Sequence, residues 1–347
     1  MTPALLSTSP VCATEKDMEM YNSKMYTAAL IFHLFLAVFS LFLIVLAVRK
    51  LLMDSIITVS TRIFLVIGLL CCTSHQFGFI VLRTQVLYQT FFKLSDPCNL
   101  YSRTSDCVIV TVPMVSGNSG MVLIQAAMTV ERIAATAMPR FWPKLKFWPG
   151  ILLSGVMLIC NYLLNDFIFW NEPFNEYVPT CGSLPSRSVP RFFAFLRFAF
   201  LISIANMVLQ IAILYINVLQ DRRQRLVTDD QSRSFNMNER FHSRETLKSS
   251  QAIFFLAMSQ FLAEFLYTVS TDIILQNKER LNLTPLQSGL ALALAYTTPY
   301  ACIAIPSLII LTLRFIKNQR LRSIEALRKQ TETGDEHMKK IQKIWDQ

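Results

Sequence analysis

Residues 25–48 read MYTAALIFHLFLAVFSLFLIVLAV and contain no charged side chain. A helix needs about 20 consecutive apolar residues to cross the hydrocarbon core of a bilayer. A helix on the surface of a soluble protein would instead carry a polar face, and no such face is present in this stretch. The segment therefore predicts a transmembrane helix and a protein that folds in a lipid bilayer.

The same pattern recurs along the chain, in six further segments that are long enough to span a bilayer. Five of them contain an uncharged run of 19 residues or more, and one, at residues 249–275, carries Glu264 and Asp272. Backbone groups in lipid must be hydrogen-bonded within the segment, which favours helices. We therefore predict an all-α membrane protein, a seven-transmembrane helix bundle at residues 26–315. The helices are expected at about 26–48, 57–82, 108–131, 147–170, 192–219, 249–275 and 287–313.

The composition excludes a soluble fold. The chain has 347 residues, of which 53% are hydrophobic and 16% are charged, against about 25% charged residues in an average soluble domain. A soluble core of this size could not bury so much apolar side chain. Disorder is excluded because disordered chains have low hydrophobicity.

The loops between the predicted helices differ in their content of basic residues, and this difference predicts the orientation. Most of the 33 Lys and Arg residues fall in residues 49–62, 132–146, 220–248 and 314–347. Basic loops stay on the cytoplasmic side. The N-terminal segment 1–25 is therefore expected outside, and the C-terminus inside. Residues 316–347 are expected to form a cytoplasmic tail with an amphipathic helix that lies on the membrane surface.

Four cysteines fall on the predicted outer side, which is the oxidising compartment: Cys12, Cys98, Cys107 and Cys181. Four cysteines allow three pairings. We favour Cys107–Cys181, because this bond would tie the loop after the fourth helix over the bundle, with Cys12–Cys98 anchoring the N-terminal segment. The other pairings and free thiols stay open alternatives.

One outer loop carries a pattern for glycosylation, Asn282-Leu283-Thr284. Such a triplet is an acceptor for N-linked glycans when it is exposed in a secretory compartment. The alternative is chance occurrence, which the following Pro285 favours. Asn282 is therefore a candidate glycosylation site.

The third helix is predicted to end on Glu131-Arg132 at the inner membrane face. Glu131 can neutralise Arg132 while the helices are packed, and Arg132 becomes available to a partner when they separate. Basic residues at the inner ends of the fifth and sixth helices would face the same partner: Arg222, Arg223, Arg240 and Lys248. The alternative is that Arg132 reaches the headgroups and that the other residues only set topology.

Polar residues inside the predicted spans are candidates for lining an outward-facing ligand pocket. Ionisable groups in a bilayer are costly and face the bundle interior. The candidates are Glu264, Asp272, Arg197, His75, Gln76, Asn118, Gln260, Tyr267 and Tyr296. The alternative is a set of hydrogen bonds between helices. Motifs of catalytic, cofactor or metal sites were not found in the sequence, which therefore predicts no enzyme, cofactor or metal.

Several short motifs together resemble a known family. They are Cys12-Ala13, Ser95-Asp96-Pro97-Cys98 followed by Cys107, Glu131-Arg132 with Ala135-Thr136, Glu239-Arg240-Phe241 with Glu245, Gln260-Phe261, and Pro299-Tyr300 with Pro306. Their order resembles the nematode serpentine chemoreceptors, most closely class alpha (Sra), with classes ab, b and e as siblings. The resemblance implies a G-protein-coupled receptor of chemosensory neurons, in the plasma membrane and there in the sensory cilium.

The sequence departs from rhodopsin-like receptors at three points. The third helix has no aromatic residue directly after Glu131-Arg132, the seventh has no Asn-Pro-x-x-Tyr motif, and the sixth has no proline. The details of rhodopsin-type activation are therefore not transferred to this chain.

The resulting hypothesis is a chemosensory receptor that binds an external small molecule and signals to a heterotrimeric G protein, with the lipid bilayer as its solvent. No nucleic-acid partner is expected, and self-association is compatible with this hypothesis. One alternative is a seven-helix ligand-gated channel, for which the basic loops have the wrong orientation. A transporter would need an internal repeat, which the sequence lacks. A non-signalling partner that helps other receptors reach the membrane is a further alternative.

Overall fold

The computed structural model describes residues 12–53, 57–138, 141–172, 176–178, 180–182, 185, 187–230, 237–277, 280 and 282–345. Its helices are α1 (Glu15–Asn22), α2 (Lys24–Met53), α3 (Val59–Phe92), α4 (Thr104–Ala137), α5 (Trp148–Phe169), α6 (Ser188–Asp230), α7 (Met237–Asn277), α8 (Pro285–Ala295) and α9 (Thr298–Trp345). Within these ranges seven segments are long and apolar enough to cross a membrane, and the seventh of them combines α8 with the first part of α9. The prediction of seven spanning segments is confirmed.

Four helices extend well beyond the predicted bounds, and two of them are α6 (Ser188–Asp230), predicted to end at about 219, and α7 (Met237–Asn277), predicted to begin at about 249. The third element, α3, ends at Phe92 rather than at 82, so that the charge at Arg83 does not end the helix. The last helix, α9, continues without a break to Trp345, whereas a separate helix on the membrane surface was expected for the tail. Backbone hydrogen bonding carries a helix past the point where its hydropathy falls.

The seventh spanning segment is broken, which differs from the single helix predicted. The backbone of Tyr296, at the end of α8, is extended, with φ −74° and ψ 92°. Pro299 lies in the first turn of α9, where a missing N–H is tolerated. The Thr297 hydroxyl donates to the Ala263 carbonyl oxygen of α7 over 2.6 Å. The break therefore has a fixed partner in the neighbouring helix.

Glycines allow α3 and α4 to approach closely. A Cβ atom on Gly78 would lie 2.7 Å from the Val110 carbonyl oxygen, and one on Gly117 would lie 2.5 Å from the His75 backbone nitrogen. Real Cβ atoms do not approach backbone atoms so closely, and only glycine fits at either position. This close packing brings the polar side chains of α3 and α4 together in the bundle.

One end of the bundle, here called the disulfide end, is covered by cross-linked loops. The bonds Cys12–Cys98 and Cys107–Cys181 both lie there, and this is the pairing favoured above. Two short strands, β1 (Ser102–Arg103) and β2 (Tyr177–Val178), pair antiparallel beside them. Glu131 lies 24 residues after Cys107 on α4, about 36 Å along the helix axis. That end is here called the Arg132 end.

The outer surface of the bundle carries large apolar side chains. Phe35 on α2, Leu152 on α5 and Leu201 on α6 are 65%, 66% and 62% exposed. A soluble monomer rarely exposes so much apolar surface, whereas hydrocarbon makes it favourable. The surface supports the conclusion that the chain is a multi-pass membrane protein.

Candidate functional site

A cavity of about 340 Å³ lies at the disulfide end of the bundle. Its wall is formed by α2, α3, α4, α6, α7 and α8 together with the loop around Cys181. Ligand pockets in proteins have volumes of about 300–1,000 Å³ and are mostly apolar with a few polar groups, and this cavity has that character. The polar side chains in its wall are Tyr26, Arg83, Asn118, Thr180, Tyr267, Thr271 and Tyr296.

The loop between α5 and α6 is held against the cavity by covalent and hydrogen bonds. Cys181 bonds to Cys107 near the start of α4, and its carbonyl oxygen accepts a hydrogen bond of 2.8 Å from Thr111. Thr180 and Gly182, on either side of Cys181, contribute to the wall. The disulfide therefore fixes one side of the cavity.

Aromatic rings and one polar bond form the inner part of the cavity. The Tyr296 hydroxyl and His75 Nε2 lie 2.5 Å apart, which joins the end of α8 to α3. The Tyr296 ring lies 5.3 Å from that of Phe79 and 5.2 Å from that of Tyr267, centroid to centroid. The break after α8 therefore places Tyr296 between α3 and α7.

Arg83 lies in the cavity wall, although it is absent from the predicted site residues. The prediction ended the second helix at Leu82, because the uncharged run ends there, and so assigned Arg83 to a loop. In the structure α3 continues, and the Arg83 guanidinium carbon lies 4.6 Å from the centroid of the Phe79 ring. A useful signal in the sequence is its spacing: Phe79, Arg83 and Val86 recur at intervals that place them on one face of a helix.

Among the predicted pocket residues, Asn118, Tyr267 and Tyr296 line the cavity. His75 reaches it only through its bond to Tyr296. Gln76 is fully buried, and neither polar atom of its side-chain amide has a hydrogen-bond partner among the described residues. Gln260 lines a second cavity, of about 30 Å³, which has room for little more than one water molecule.

The three charged pocket candidates do not line this cavity. Arg197 is exposed on the outside of α6, because it lies one residue past the buried Leu196 and is thus turned by about 100° around the helix. Asp272 is half-buried beside Thr271 but does not line the cavity. Glu264 is only 5% exposed and precedes the wall residue Tyr267 by about one turn of α7, but it is not among the lining residues.

At the other end of the bundle, Arg132 is held in a buried network. Its Nε and Nη2 atoms donate to the two carboxylate oxygens of Glu131 over 2.5 and 2.7 Å. Nη1 donates to Ser249 of α7 over 3.0 Å, and Nη2 donates to Thr61 of α3 over 2.9 Å. Trp142 donates to Glu131 over 3.2 Å. Arg132 is 2% exposed, so that in this packing it joins α4 to α3 and α7 and is not available to a partner.

A second polar contact closes the same end. Asn217 of α6 donates from Nδ2 to Ser250 of α7 over 3.0 Å and accepts from Thr136 of α4 over 3.3 Å. Ser250 directly follows the Ser249 that binds Arg132. The ends of α4, α6 and α7 are therefore joined by hydrogen bonds around Arg132.

The basic residues predicted at this end differ in exposure. Arg222 and Arg223 are exposed on α6, and Lys248 is half-buried on α7. The side chain of Arg240 lies outside the described residues. Asn282, the candidate glycosylation site, is exposed between α7 and α8 at the disulfide end, with φ 47°. Its modification stays a prediction.

The sequence matches the model of one protein family, described as the serpentine type 7TM GPCR chemoreceptor Sra, over residues 7–345. It is 60% identical to serpentine receptor class alpha-11 of Caenorhabditis elegans over 342 residues, which cover 99% of this chain and 100% of that relative. The receptor of the same name from Caenorhabditis briggsae is 60% identical over 339 residues, 97% of this chain and 98% of the relative. Serpentine receptor class alpha-13 of Caenorhabditis elegans is 33% identical over 98% of each chain. The chain belongs to the Sra family of serpentine seven-transmembrane chemoreceptors, a GPCR-type receptor family.

Proposed function

We propose that this protein is a chemosensory receptor that binds an external small molecule in the cavity of about 340 Å³ and signals to a heterotrimeric G protein at the Arg132 end. The proposal includes an N-terminus outside the cell, a cytoplasmic C-terminus, and a location in the plasma membrane of a sensory cilium. The observation that carries it is the pairing of a mostly apolar cavity at one end of the bundle with a closed arginine network at the other.

Two helices connect the cavity to the network. Helix α3 contributes Arg83 to the cavity and Thr61 to the network, and α7 contributes Thr271 and Ser249. The two α7 residues are 22 positions apart, about 33 Å along the axis. A ligand that binds better when α3 and α7 shift would favour that shift by its difference in affinity.

The expected result of the shift is the release of Arg132. Separation of α7 from α4 removes the Ser249 partner, and separation of α3 removes the Thr61 partner. Arg132 would then reach the cytoplasmic surface beside Arg222 and Arg223, which are exposed already. A cleft with this charge fits an acidic or carbonyl-rich helix end of a Gα subunit.

The test uses cells that carry this receptor and a promiscuous Gα subunit. The cells are exposed to a panel of small volatile and water-soluble molecules, and guanine nucleotide exchange on Gα is recorded. We expect at least one molecule to raise exchange in cells with the receptor, and Arg132→Ala to abolish the response at equal surface expression. A molecule that stabilises the purified receptor but never raises exchange would contradict the proposal, as would an ionic current in cells that lack G proteins.

A further inference from the structure

We propose that the ligand of this cavity is a small organic monoanion, a carboxylate with an apolar body, and that Arg83 binds the carboxylate group. This inference rests on the proposed function for the biological role of the site, but its central claim concerns binding alone.

The Arg83 guanidinium has no acidic partner in the part of the chain that the structure describes. The buried ion pair between Arg132 and Glu131 lies at the other end of the bundle. Arg83 Nε is buried without a hydrogen-bond partner among the described residues, and the cavity wall contains no Asp or Glu. The site therefore has a positive charge and no negative charge to balance it.

The position of this cation is fixed by its neighbours. The guanidinium lies over the Phe79 ring at 4.6 Å, a distance at which a cation is attracted to the face of an aromatic ring. Such a contact holds the guanidinium plane but leaves its N–H donors free. A guanidinium fork with free donors matches the two oxygens of a carboxylate.

Arg83 is half-buried with a buried Nε, and an unpaired charge that is partly removed from water lowers the stability of a protein. A bound anion would remove this cost and gain two charge-assisted hydrogen bonds. The protein without ligand is thus expected to be less stable with Arg83 than with an apolar residue of similar length. A purely structural role for Arg83 predicts the opposite sign.

The rest of the wall favours an organic anion over an inorganic one. Apolar side chains surround the space beside Arg83, among them Leu82, Phe192, Phe193 and Leu292. The polar atoms Asn118 Oδ1 and Thr271 Oγ1 are buried and have no hydrogen-bond partner among the described residues. One cation fits a single carboxylate rather than a multiply charged phosphate, and the apolar wall fits an aliphatic or aromatic body.

The first test measures the thermal stability of the purified full-length receptor without ligand. Arg83→Met keeps the apolar stem of the side chain but removes the guanidinium and its charge. We expect its Tm to be equal to that of the wild type or higher by about 2–4 °C. A fall in Tm of that size would show that Arg83 stabilises the fold, and would overturn the inference.

The second test measures binding by the same thermal shift. The probes are hexanoate, octanoate, benzoate and phenylacetate, each paired with its neutral primary amide, and sodium chloride and sodium phosphate at equal ionic strength. We expect one or more carboxylates to raise the Tm of the wild type, while the matching amides and the inorganic salts do not. Equal shifts by acids and amides, shifts by inorganic anions alone, or no shift by any carboxylate would each overturn the inference.

Variants assign any carboxylate response to Arg83. We expect Arg83→Met to weaken carboxylate binding on the order of 30-fold or more, and Arg83→Lys to retain part of it because the charge remains and the fork is lost. The matched control is Arg197→Met, which removes the same charge from the exposed side of α6 and should bind as the wild type does. Equal losses in the two Met variants would contradict a specific contact.

The results separate this inference from the proposed function. Carboxylates that bind without raising nucleotide exchange on Gα would leave the binding claim intact and contradict the signalling claim. Neutral molecules that raise exchange, with no binding of carboxylates, would support signalling and overturn the anion site.

Discussion

At the scale of single residues, Glu131 and Arg132 show how a buried charge can report on helix packing. The two side chains neutralise each other, while Ser249 and Thr61 each accept a further hydrogen bond from Arg132. Removing one member of a buried ion pair costs about 3–5 kcal/mol, because the other charge is left uncompensated. The closed packing is therefore sensitive to the charge on Glu131.

Glu131→Gln should shift the receptor toward the packing in which Arg132 is released. The amide retains a weak hydrogen bond but removes the negative charge, and by linkage a loss of about 1–2 kcal/mol in the closed packing raises the open population roughly 5- to 30-fold. Guanine nucleotide exchange on Gα without ligand should rise by up to that factor. The matched control is Asp106→Asn, the same chemical change at an exposed position on the same helix. Unchanged exchange in Glu131→Gln, at wild-type surface expression, would argue against a closed network.

Residues differ in how far their roles could be predicted from the sequence. The Glu131-Arg132 pair is conspicuous because two opposite charges stand next to each other at the end of an apolar run. Arg83 is not conspicuous, because a single charge at the end of an uncharged run resembles the start of a loop. Only the continuation of α3 to Phe92, which depends on packing against α4 and the strand pair, brings Arg83 into the wall.

At the scale of secondary-structure elements, the contact between α3 and α4 depends on the absence of side chains at glycine. A Cβ on Gly117 would lie 2.5 Å from His75 N and 2.6 Å from the Cys71 carbonyl oxygen. Both are backbone atoms, which cannot turn aside as a side chain can. The two helices would have to separate to admit a methyl group.

Gly117→Ala should therefore destabilise the receptor. Overpacking of this kind costs about 1–3 kcal/mol, and we expect a lower Tm and reduced surface expression. Gly155→Ala on α5 is the matched control, because a Cβ there meets nothing within 4 Å and alanine favours helix by about 1 kcal/mol. Equal stability of the two variants would show that α3 and α4 are not packed so closely.

The position of the loop before α6 depends on a covalent bond. The Cys107–Cys181 disulfide has a sequence separation of 74 residues, and a bond closing such a loop stabilises a fold by about 4 kcal/mol in the chain-entropy model. We expect the double variant Cys107→Ala, Cys181→Ala to lose most surface expression and to bind ligand weakly, because Thr180 and Gly182 lose their fixed position. Cys160→Ala, at an exposed free cysteine of α5, should behave as the wild type. Normal expression and binding in the double variant would contradict a structural role for the loop.

The elements were predicted unequally well. Hydropathy gives the number of spanning segments, because uncharged runs of this length are favourable in lipid and unfavourable in water. It does not give the ends of α3 and α9, where the helix continues into polar sequence, or the break at Tyr296. A local signal for that break exists in Pro299, since proline is favoured in the first turn of a helix and disfavoured in its interior.

At the scale of the whole molecule, the two ends of the bundle are chemically different. The disulfide end has cross-linked loops and a cavity, and the Arg132 end has a closed polar network with exposed arginines on α6. Disulfides form in the oxidising compartment, and basic residues stay on the cytoplasmic side. Both arguments give the same orientation, although they depend on different residues.

The orientation is tested most directly by epitope tags at the two termini of the full-length receptor, detected by antibody on intact and then on permeabilised cells. We expect the N-terminal tag to be stained on intact cells, and the C-terminal tag only after permeabilisation. This result would place the cavity toward external ligands and Arg132 toward the G protein. An N-terminal tag shielded on intact cells, or both tags on the same side, would contradict the receptor described above.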